Sequence, residues 1–492
     1  MKNRLCLHLM ANKEKGFALP LAVLIGLILM VTGMSMIMRA QGDQSKVIAQ
    51  NAKADGFRSS EAGVTRVQDL LNSVRVMATV DSDSNCNTVG CWQNAEVPAG
   101  NPSNDLQKHL KKLHTATACS NPDNPNAAAT LTANIAQLQL LSGGQWSDLG
   151  NNRYYRVAEY RFTPIADPNI LGLGVLTLEG RSRKSAETDL TKTDLNIDSD
   201  DNAASRNRVV VTVPILPSPP PAFNRTTVPA LWISEGNADG DAAQFQGDVV
   251  EEVVSPGCNN DQNKIQQPTP EPSPGYKAQF VGVTFPNLPP IPTGLPPGQQ
   301  DLVLASSQFF PRKNADGAII DTASDRTING QNVKVYEYIV NNIDLDDGET
   351  ITITPGQRVV FYVKGNINGA IEHNCAGQAG CKPGNLQIYA DNGLGSAAPQ
   401  ICLKGNENLE GFIFAPDYSL GKTGTGTFTG AAWGKDWGKI SGCTSSGAVA
   451  VTQGVGWTEL IQDLKPPFPR LDKIANWCEE PIDTTGTSTC VP

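Results

Sequence analysis

A single uncharged stretch constrains this chain more than any other feature. Residues 17–38 read FALPLAVLIGLILMVTGMSMIM and end at Arg39. A helix of this length extends roughly 33 Å, which is enough to cross a hydrocarbon core of about 30 Å. Residues 1–16 carry four basic residues and one acidic residue. Because basic flanks stay in the cytoplasm, we expect the chain after Arg39 to face outward.

Other export signals explain this stretch less well. A cleaved secretory signal has an apolar core of roughly 7–15 residues followed by a small-x-small site. Here the core is longer, and residues 37–40 (IMRA) match such a site poorly. A lipoprotein would need a Cys directly after the core, and none is present. A plain signal anchor fits the hydropathy and remains an alternative.

The junction between the basic leader and the apolar stretch reads Lys15-Gly16-Phe17-Ala18-Leu19. This order of parts resembles the class III signal of type IV pilins and type II secretion pseudopilins. The resemblance implies that a prepilin peptidase of the inner membrane cuts between Gly16 and Phe17 and methylates Phe17. It also implies an assembly helix that packs among the helices of other pilin subunits, and the residues assigned to it are Phe17, Leu19, Pro20, Leu21, Leu24 and Leu27.

One position departs from the pilin pattern. The fifth residue of the mature chain is usually Glu in this family, where it pairs with the terminal amine of a neighbouring subunit, and here it is Leu21. A carboxylate buried in lipid is costly unless it is paired, so its absence suggests a subunit with no amine to neutralise. Within the family, this loss is typical of the K-type pseudopilin and of some minor pilins at the filament tip. Pro20 falls in the first helical turn, where a missing N–H costs little.

The sequence after Arg39 predicts an amphipathic continuation of the helix to about residue 80. Apolar residues recur at the spacing of one helical face, namely Phe57, Val64, Val67, Leu71 and Val74. Residues 58–65 (RSSEAGVT) are similar to a segment of PilX-type minor pilins. Gly42, Gly56 and Gly63 each lower helix propensity by about 1 kcal/mol relative to Ala, so we expect kinks or a melted turn.

The next region, residues 81–215, resembles the pilin globular plan of one long helix followed by an antiparallel meander. Residues 81–150 read as loop-rich, with clusters of Asn, Asp and Ser. Three strands are then predicted at residues 154–164, 174–181 and 208–215, because each run is rich in Val, Tyr, Thr or Leu.

Proline density marks residues 216–300 as a linker. Residues 214–221 and 266–297 hold most of the prolines, which favour a semi-rigid extended spacer. Residues 222–265 between them form either a small subunit or part of the following domain.

Residues 301–492 are predicted to form a β-rich domain. Short runs such as residues 350–354, 358–364 and 411–416 are bounded by Gly, Asn and Pro. Residues 384–435 look like the coils of a parallel β-helix, as found after PilX-like segments in some large minor pilins. We favour the β-helix, and a β-sandwich is the alternative. The expected fold class is therefore α+β, with a long hydrophobic helix on an antiparallel sheet followed by an all-β domain.

The cysteine count fits an oxidising compartment. Eleven cysteines are present, and removing Cys6 with the leader leaves an even number. Spacing suggests four disulfides, which are Cys86–Cys91, Cys375–Cys381, Cys402–Cys443 and Cys478–Cys490. His373, Cys375 and Cys381 resemble a zinc trio, but no fourth ligand lies nearby. We therefore predict disulfides and no metal site.

Calcium is the one cofactor that the sequence leaves open. Oxygen-bearing side chains alternate at residues 81–85, 198–202 and 237–241, as they do in calcium loops. The bidentate carboxylate twelve positions along is absent, because Trp92 and Val209 occupy that place after the first two clusters. Solvated loops are the preferred interpretation, and no other cofactor is expected.

Neither charge nor motifs indicate catalysis. The net charge of −10 argues against nucleic-acid binding through a diffuse positive field. Asp417, Glu407 and Glu410 could serve a β-helical polysaccharide-active enzyme, but nothing fixes their geometry. We predict no catalytic residues and no enzymatic activity. Aromatic side chains that could contact carbohydrate or a surface are Tyr418, Trp433, Trp437 and Trp457, although packing in the core is the more common role of such residues.

Together these features predict a minor pilin or pseudopilin that enters a type IV pilus-like filament at its tip or initiation complex. Before assembly it would cross the inner membrane once, with its globular part in the periplasm. Its β-rich domain would then be displayed on the pilus or cell surface for a carbohydrate, a surface or a partner. The alternative is a membrane-anchored extracellular adhesin that does not polymerise.

Overall fold

The computed structural model describes residues 18–119, 128–167, 169–182, 205–235, 238, 242–252, 258–445, 447–481 and 490. The predicted leader, with the processing site at Gly16 and Phe17, lies outside the described residues. The same holds for the acidic clusters at residues 198–202 and 237, 239 and 241.

Within these residues the chain forms three α-helices and twenty-two strands. The helices are α1 (Ala18–Ser73), α2 (Asp105–Ala118) and α3 (Ala128–Ser142). The strands are β1 (Ser147–Gly150), β2 (Arg153–Asp167), β3 (Ile170–Ser182), β4 (Ser205–Pro217), β5 (Leu231–Ile233), β6 (Gln244–Gln246), β7 (Val249–Glu251), β8 (Ala278–Phe280), β9 (Leu302–Leu304), β10 (Gln308–Phe310), β11 (Ala323–Ile328), β12 (Gln331–Asp344), β13 (Thr350–Ile353), β14 (Val359–Val363), β15 (Ile367–Glu372), β16 (Leu386–Ala390), β17 (Gln400–Leu403), β18 (Leu409–Lys422), β19 (Phe428–Trp437), β20 (Val449–Gln453), β21 (Pro469–Leu471) and β22 (Asn476–Pro481).

Helix α1 is one uninterrupted helix of 56 residues. The expectation of a melted turn at its glycines is wrong, and close packing against the sheet explains why residue 63 of the helix and residue 180 of β3 are glycines. A Cβ at Gly63 would lie 2.8 Å from a ring carbon of Tyr155. A Cβ at Gly180 of β3 would lie 2.2 Å from the carbonyl oxygen of Gly56. These glycines therefore let the helix and the sheet approach closely, and tertiary packing outweighs their low propensity.

The second half of α1 packs on strands β2, β3 and β4. Four of the five residues predicted for its apolar face are buried, and Phe57 is half-buried against the same core. The predicted strands are present as the antiparallel meander β2–β3–β4. A long N-terminal helix on an antiparallel sheet is therefore confirmed.

Residues 81–150 contain more structure than the sequence analysis expected, because α2 and α3 lie within them. Leu106, Leu110 and Leu113 of α2 are buried at helical spacing. The side chain of Asn104 caps the helix by accepting a hydrogen bond from the backbone N–H of Gln107. This cap and spacing were visible in the sequence, but the surrounding Asn, Asp and Ser residues obscured them.

The antiparallel sheet is completed from the far end of the chain. Strands β21 and β22 both pair antiparallel with β4. Residues 469–481 thus belong to the sheet under α1, although the sequence analysis grouped them with the domain at 301–492. Both strands are short, and only their pairing with β4 reveals where they belong.

Strands β5 to β20 form a second sheet, whose pairings are parallel except for the hairpin β11–β12. That hairpin turns at Asn329-Gly330, where both residues have positive φ, as a two-residue hairpin turn requires. One parallel ladder aligns eight buried residues, in the order Tyr338, Phe361, Ile388, Ile413, Ala432, Leu231, Val249 and Ala278. We call strands β5–β20 the parallel region.

On six of these eight strands the next residue points to the opposite side of the sheet and joins the core that α1 shares with the antiparallel sheet. These residues include Tyr362, Tyr389, Phe414, Trp433 and Trp232. Residues 281–291 of the proline-rich stretch pack here too, with Phe285 in contact with Trp232. The described residues between 222 and 300 therefore include parts of the packed protein, and β5 to β8 extend the parallel region.

The presence of disulfides is confirmed. Four pairs coincide with those suggested by spacing, namely Cys86–Cys91, Cys375–Cys381, Cys402–Cys443 and Cys478–Cys490. A fifth, Cys119–Cys258, joins residues 139 positions apart and ties the end of α2 to the segment after β7. Spacing did not suggest it because no short loop links the two cysteines.

Candidate functional site

The first candidate site is the exposed apolar half of α1, residues 19–38, which we call the apolar segment. An 18-residue window of this helix has a mean hydropathy of 2.5 and is not buried anywhere. The predicted assembly residues in it are all exposed, with Leu24 at 57%, and they are Leu19, Pro20, Leu21, Leu24 and Leu27. The helix is long and apolar enough to cross a membrane, by length and composition. Isolated exposed leucines are common, but a continuous apolar surface of this length needs a covering partner.

The second candidate site is a groove of about 1090 Å³ between α2 and the parallel region. Lysines and carboxylates line it in equal numbers, four of each, so their formal charges cancel. Hydroxyl and amide groups complete its polar surface, contributed by Ser234, Asn287, Asn392 and Ser396.

An ion pair lies in the wall of this groove. Glu252, directly after β7, is fully buried, and its carboxylate contacts the ammonium group of Lys112 in α2. Burial raises the pKa of Glu252, although the nearby charge of Lys112 acts in the opposite direction. Burial, and secondarily the charge of Lys112, lowers the pKa of His109. Because its pKa is lowered, the imidazole of His109 in this groove is neutral at neutral pH.

The third candidate site comprises His373, Cys375 and Cys381, which we call the His–Cys cluster. Among the described residues, these are the only three potential ligands close enough together to share one metal ion. The two cysteines are joined in a disulfide. His373 is fully buried, and its Nε2 lies 3.6 Å from Cys375 Sγ and 3.4 Å from Cys381 Sγ.

Other residues singled out in the sequence have structural environments of their own. Asp81 Oδ1 accepts a hydrogen bond from the backbone N–H of Phe162, so this carboxylate joins the loop to β2. Three of the aromatic side chains suggested for carbohydrate contact, Tyr418, Trp433 and Trp437, are core residues. The fourth, Trp457, is only 9% exposed, so that suggestion is wrong for all four.

The carboxylates considered for catalysis lie in different surroundings. Glu410 Oε1 accepts a hydrogen bond from the backbone N–H of Cys375. Asp417 lines the groove. Glu407 borders a separate small cavity near Lys422. The groove could not be recognised in the sequence because its lining comes from distant parts of the chain that the fold brings together.

Comparison with known proteins gives a limited match. Residues 320–441, which contain β11 to β19, match a family described as "Domain of unknown function (DUF7305)". No curated protein matches the chain. Structures similar to this chain include the competence-associated pilin ComZ from Thermus thermophilus, with 12% identity over 87% of this chain and 98% of that chain. The TM-score is 0.24, and a score of this size does not establish a shared fold.

Proposed function

We propose that this protein is a pilin-like subunit that enters a type IV pilus-like filament through α1. The observation that carries the proposal is the division of one continuous helix into two halves. The apolar segment is exposed, with none of its most apolar 18-residue window buried, whereas the half around residues 57–74 is packed on the sheet. A helix of this kind can exchange lipid for the helices of neighbouring subunits without any change in the globular part.

The finer assignment is a minor pilin or pseudopilin at the tip or in the initiation complex. Leu21 in place of the usual Glu supports it, as does the bulk of the parallel region, which is difficult to repeat along a filament shaft. The role is structural and adhesive, with no catalytic step. A membrane-anchored adhesin that never polymerises is the second candidate.

Processing of the N terminus distinguishes the two candidates. We expect the mature protein from cells to begin at an N-methylated Phe17, as mass spectrometry of the terminal peptide would show. Cells lacking the prepilin peptidase are the control, and in them the peptide should begin upstream of Gly16. A wild-type protein that keeps its first sixteen residues would favour the anchored adhesin.

We also infer that the parallel region is a β-solenoid. Strand β14 pairs with β16, β16 with β18, and β18 with β19, so these strands stack in the order in which they occur in the chain. The chain between two successive strands then makes one turn of the coil. A second set of pairings, β15–β17 and β17–β18, repeats the same order on another face. Repeated parallel stacking of this kind is characteristic of solenoids rather than of antiparallel sandwiches.

The groove is the proposed binding site for a surface carbohydrate. Its balanced charges and its hydroxyl and amide groups suit a neutral, hydroxyl-rich ligand better than a polyanion. We expect Asp417→Asn and Lys108→Ala, at two exposed groove positions, to weaken binding of the full-length protein to a neutral glycan on an array. Lys334→Ala on the β11–β12 hairpin is the control and should bind normally. If all three variants bind the glycan as well as the wild type does, the groove is not the carbohydrate-binding site.

A further inference from the structure

The His–Cys cluster has a feature that a structural disulfide does not need. His373 Nδ1 lies in hydrogen-bonding contact with the backbone carbonyl oxygen of Glu410. A carbonyl oxygen can only accept, so Nδ1 carries the proton and Nε2 carries the lone pair. That lone pair belongs to the nitrogen that contacts both sulfur atoms. A histidine whose second nitrogen donates to a carbonyl is the usual arrangement of a metal-bound imidazole.

Distances in the cluster match a zinc site in all but one respect. Tetrahedral zinc with bonds of roughly 2.0 Å to nitrogen and 2.3 Å to sulfur places those ligand atoms about 3.5 Å apart. The two observed Nε2–Sγ distances are 3.6 Å and 3.4 Å. Only the separation of the two sulfur atoms would have to increase, from a covalent bond to about 3.8 Å.

The surrounding chain holds the imidazole and leaves the cysteine loop free to adjust. The backbone N–H of His373 donates to Asn408, and its carbonyl accepts from Glu410, so the histidine is fixed beside β18. The loop between the two cysteines, residues 376–380, is exposed. Gly377 and Gly380 in this loop have positive φ and open space around them. The sulfur atoms can therefore separate without disturbing the core.

We propose that the reduced His–Cys cluster is a zinc site that the Cys375–Cys381 disulfide closes. A dithiol reductant breaks the S–S bond and becomes a disulfide itself, giving the two cysteines the two electrons and two protons that make them thiols. Zn²⁺ then binds both sulfur atoms and His373 Nε2, and two protons are released. Water occupies the fourth position. A disulfide oxidant accepts two electrons from the two thiolates and, with two protons from water, becomes a dithiol, while the Cys375–Cys381 bond re-forms and Zn²⁺ is released, so the site responds to the redox state of its compartment.

Metal titration of the full-length protein tests this proposal. The protein is reduced with a phosphine, desalted without oxygen and titrated with Co²⁺ and then Zn²⁺. We expect one equivalent of Co²⁺ to give the absorption of a tetrahedral cobalt thiolate, and Zn²⁺ to displace it with release of about two protons per metal. The oxidised protein should give neither signal.

Two variants assign the signal to this cluster, because reduction also opens other disulfides. Cys375→Ser/Cys381→Ser should abolish the cobalt band, and His373→Gln should weaken zinc binding more than about 10-fold while both thiols remain. Cys86→Ser/Cys91→Ser, which removes the other short-loop disulfide, should bind metal as the wild type does. The proposal is overturned if the reduced wild type binds no more metal than the Cys375/Cys381 variant. It is equally overturned if His373→Gln retains wild-type affinity.

Discussion

A buried carboxylate at the centre of the antiparallel sheet provides a quantitative test of the fold. Glu179 of β3 is 2% exposed. It lies 2.6 Å from Arg156, 2.5 Å from Arg206 and 3.3 Å from Arg208. Arg208 also pairs with Glu480 of β22, so this network joins the last described strand to the meander.

Replacing Glu179 with Gln removes the one charge that these guanidinium groups share. Removal of one partner from a buried ion pair costs about 3–5 kcal/mol, because the remaining charge is left uncompensated. The three arginines are 16–27% exposed and can recover part of their hydration, which places the expected loss at about 3 kcal/mol. Glu159→Gln is the matched control, because its pair with Arg161 is largely exposed and is worth less than about 1 kcal/mol.

The loss should depend on pH in a defined direction. Burial alone would raise the pKa of Glu179, but hydrogen bonds from Arg156 and Arg206 and their charges outweigh it and lower the pKa. Because the folded-state pKa lies below the unfolded value, the stabilisation is complete above a pH of about 4.3. It disappears as the pH falls through the folded-state pKa.

Urea unfolding of the full-length protein in detergent, followed by tryptophan fluorescence, measures this effect. Wild type and Glu179→Gln should differ by about 3 kcal/mol at pH 7 and converge on acidification below about pH 4. A difference below about 1 kcal/mol at pH 7, or one that persists unchanged at pH 3, would refute the reasoning. It would mean that the arginines do not depend on this carboxylate.

Two further predictions concern packing and covalent constraint. Gly63→Ala should lower the free energy of unfolding by about 1 kcal/mol, because overlap with Tyr155 exceeds the gain in helix propensity. Gly42→Ala, with no atom within 4 Å of its Cβ, should instead increase helicity, and amide hydrogen exchange in both variants would show the contrast. Replacing Cys402 and Cys443 with Ala should cost about 4 kcal/mol in urea unfolding, because their bond closes a loop of 41 residues, and an unchanged midpoint would contradict this.

Local patterns predicted the parts of the fold that depend on neighbouring residues. The apolar segment, the helical face around Val67 and the meander strands could be read directly, because each is encoded by its own periodicity. The short-loop disulfides followed for the same reason, since cysteines five or six positions apart have few other partners. These features require no knowledge of long-range contacts.

Features that depend on distant contacts could not be read in this way. Gly63 looks like a helix breaker until Tyr155 is seen against it. Strand β22 has no signal that assigns it to β4, which lies more than 250 positions earlier. The proline-rich stretch reads as a spacer because its composition is visible and its contact with Trp232 is not. The groove and the tautomer of His373 depend equally on long-range geometry.

The central claim is that the apolar segment packs against other subunits in a filament. A photo-crosslinking amino acid at Leu24, in the apolar segment, tests it directly in filaments sheared from intact cells. Leu140 of α3, which is exposed on the globular part, is the control position. We predict that the probe at Leu24 forms covalent adducts with another pilin subunit in the sheared fraction, whereas the probe at Leu140 does not give the same adduct. A protein that stays entirely in the membrane fraction, with Leu24 crosslinked to lipid alone, would contradict the account.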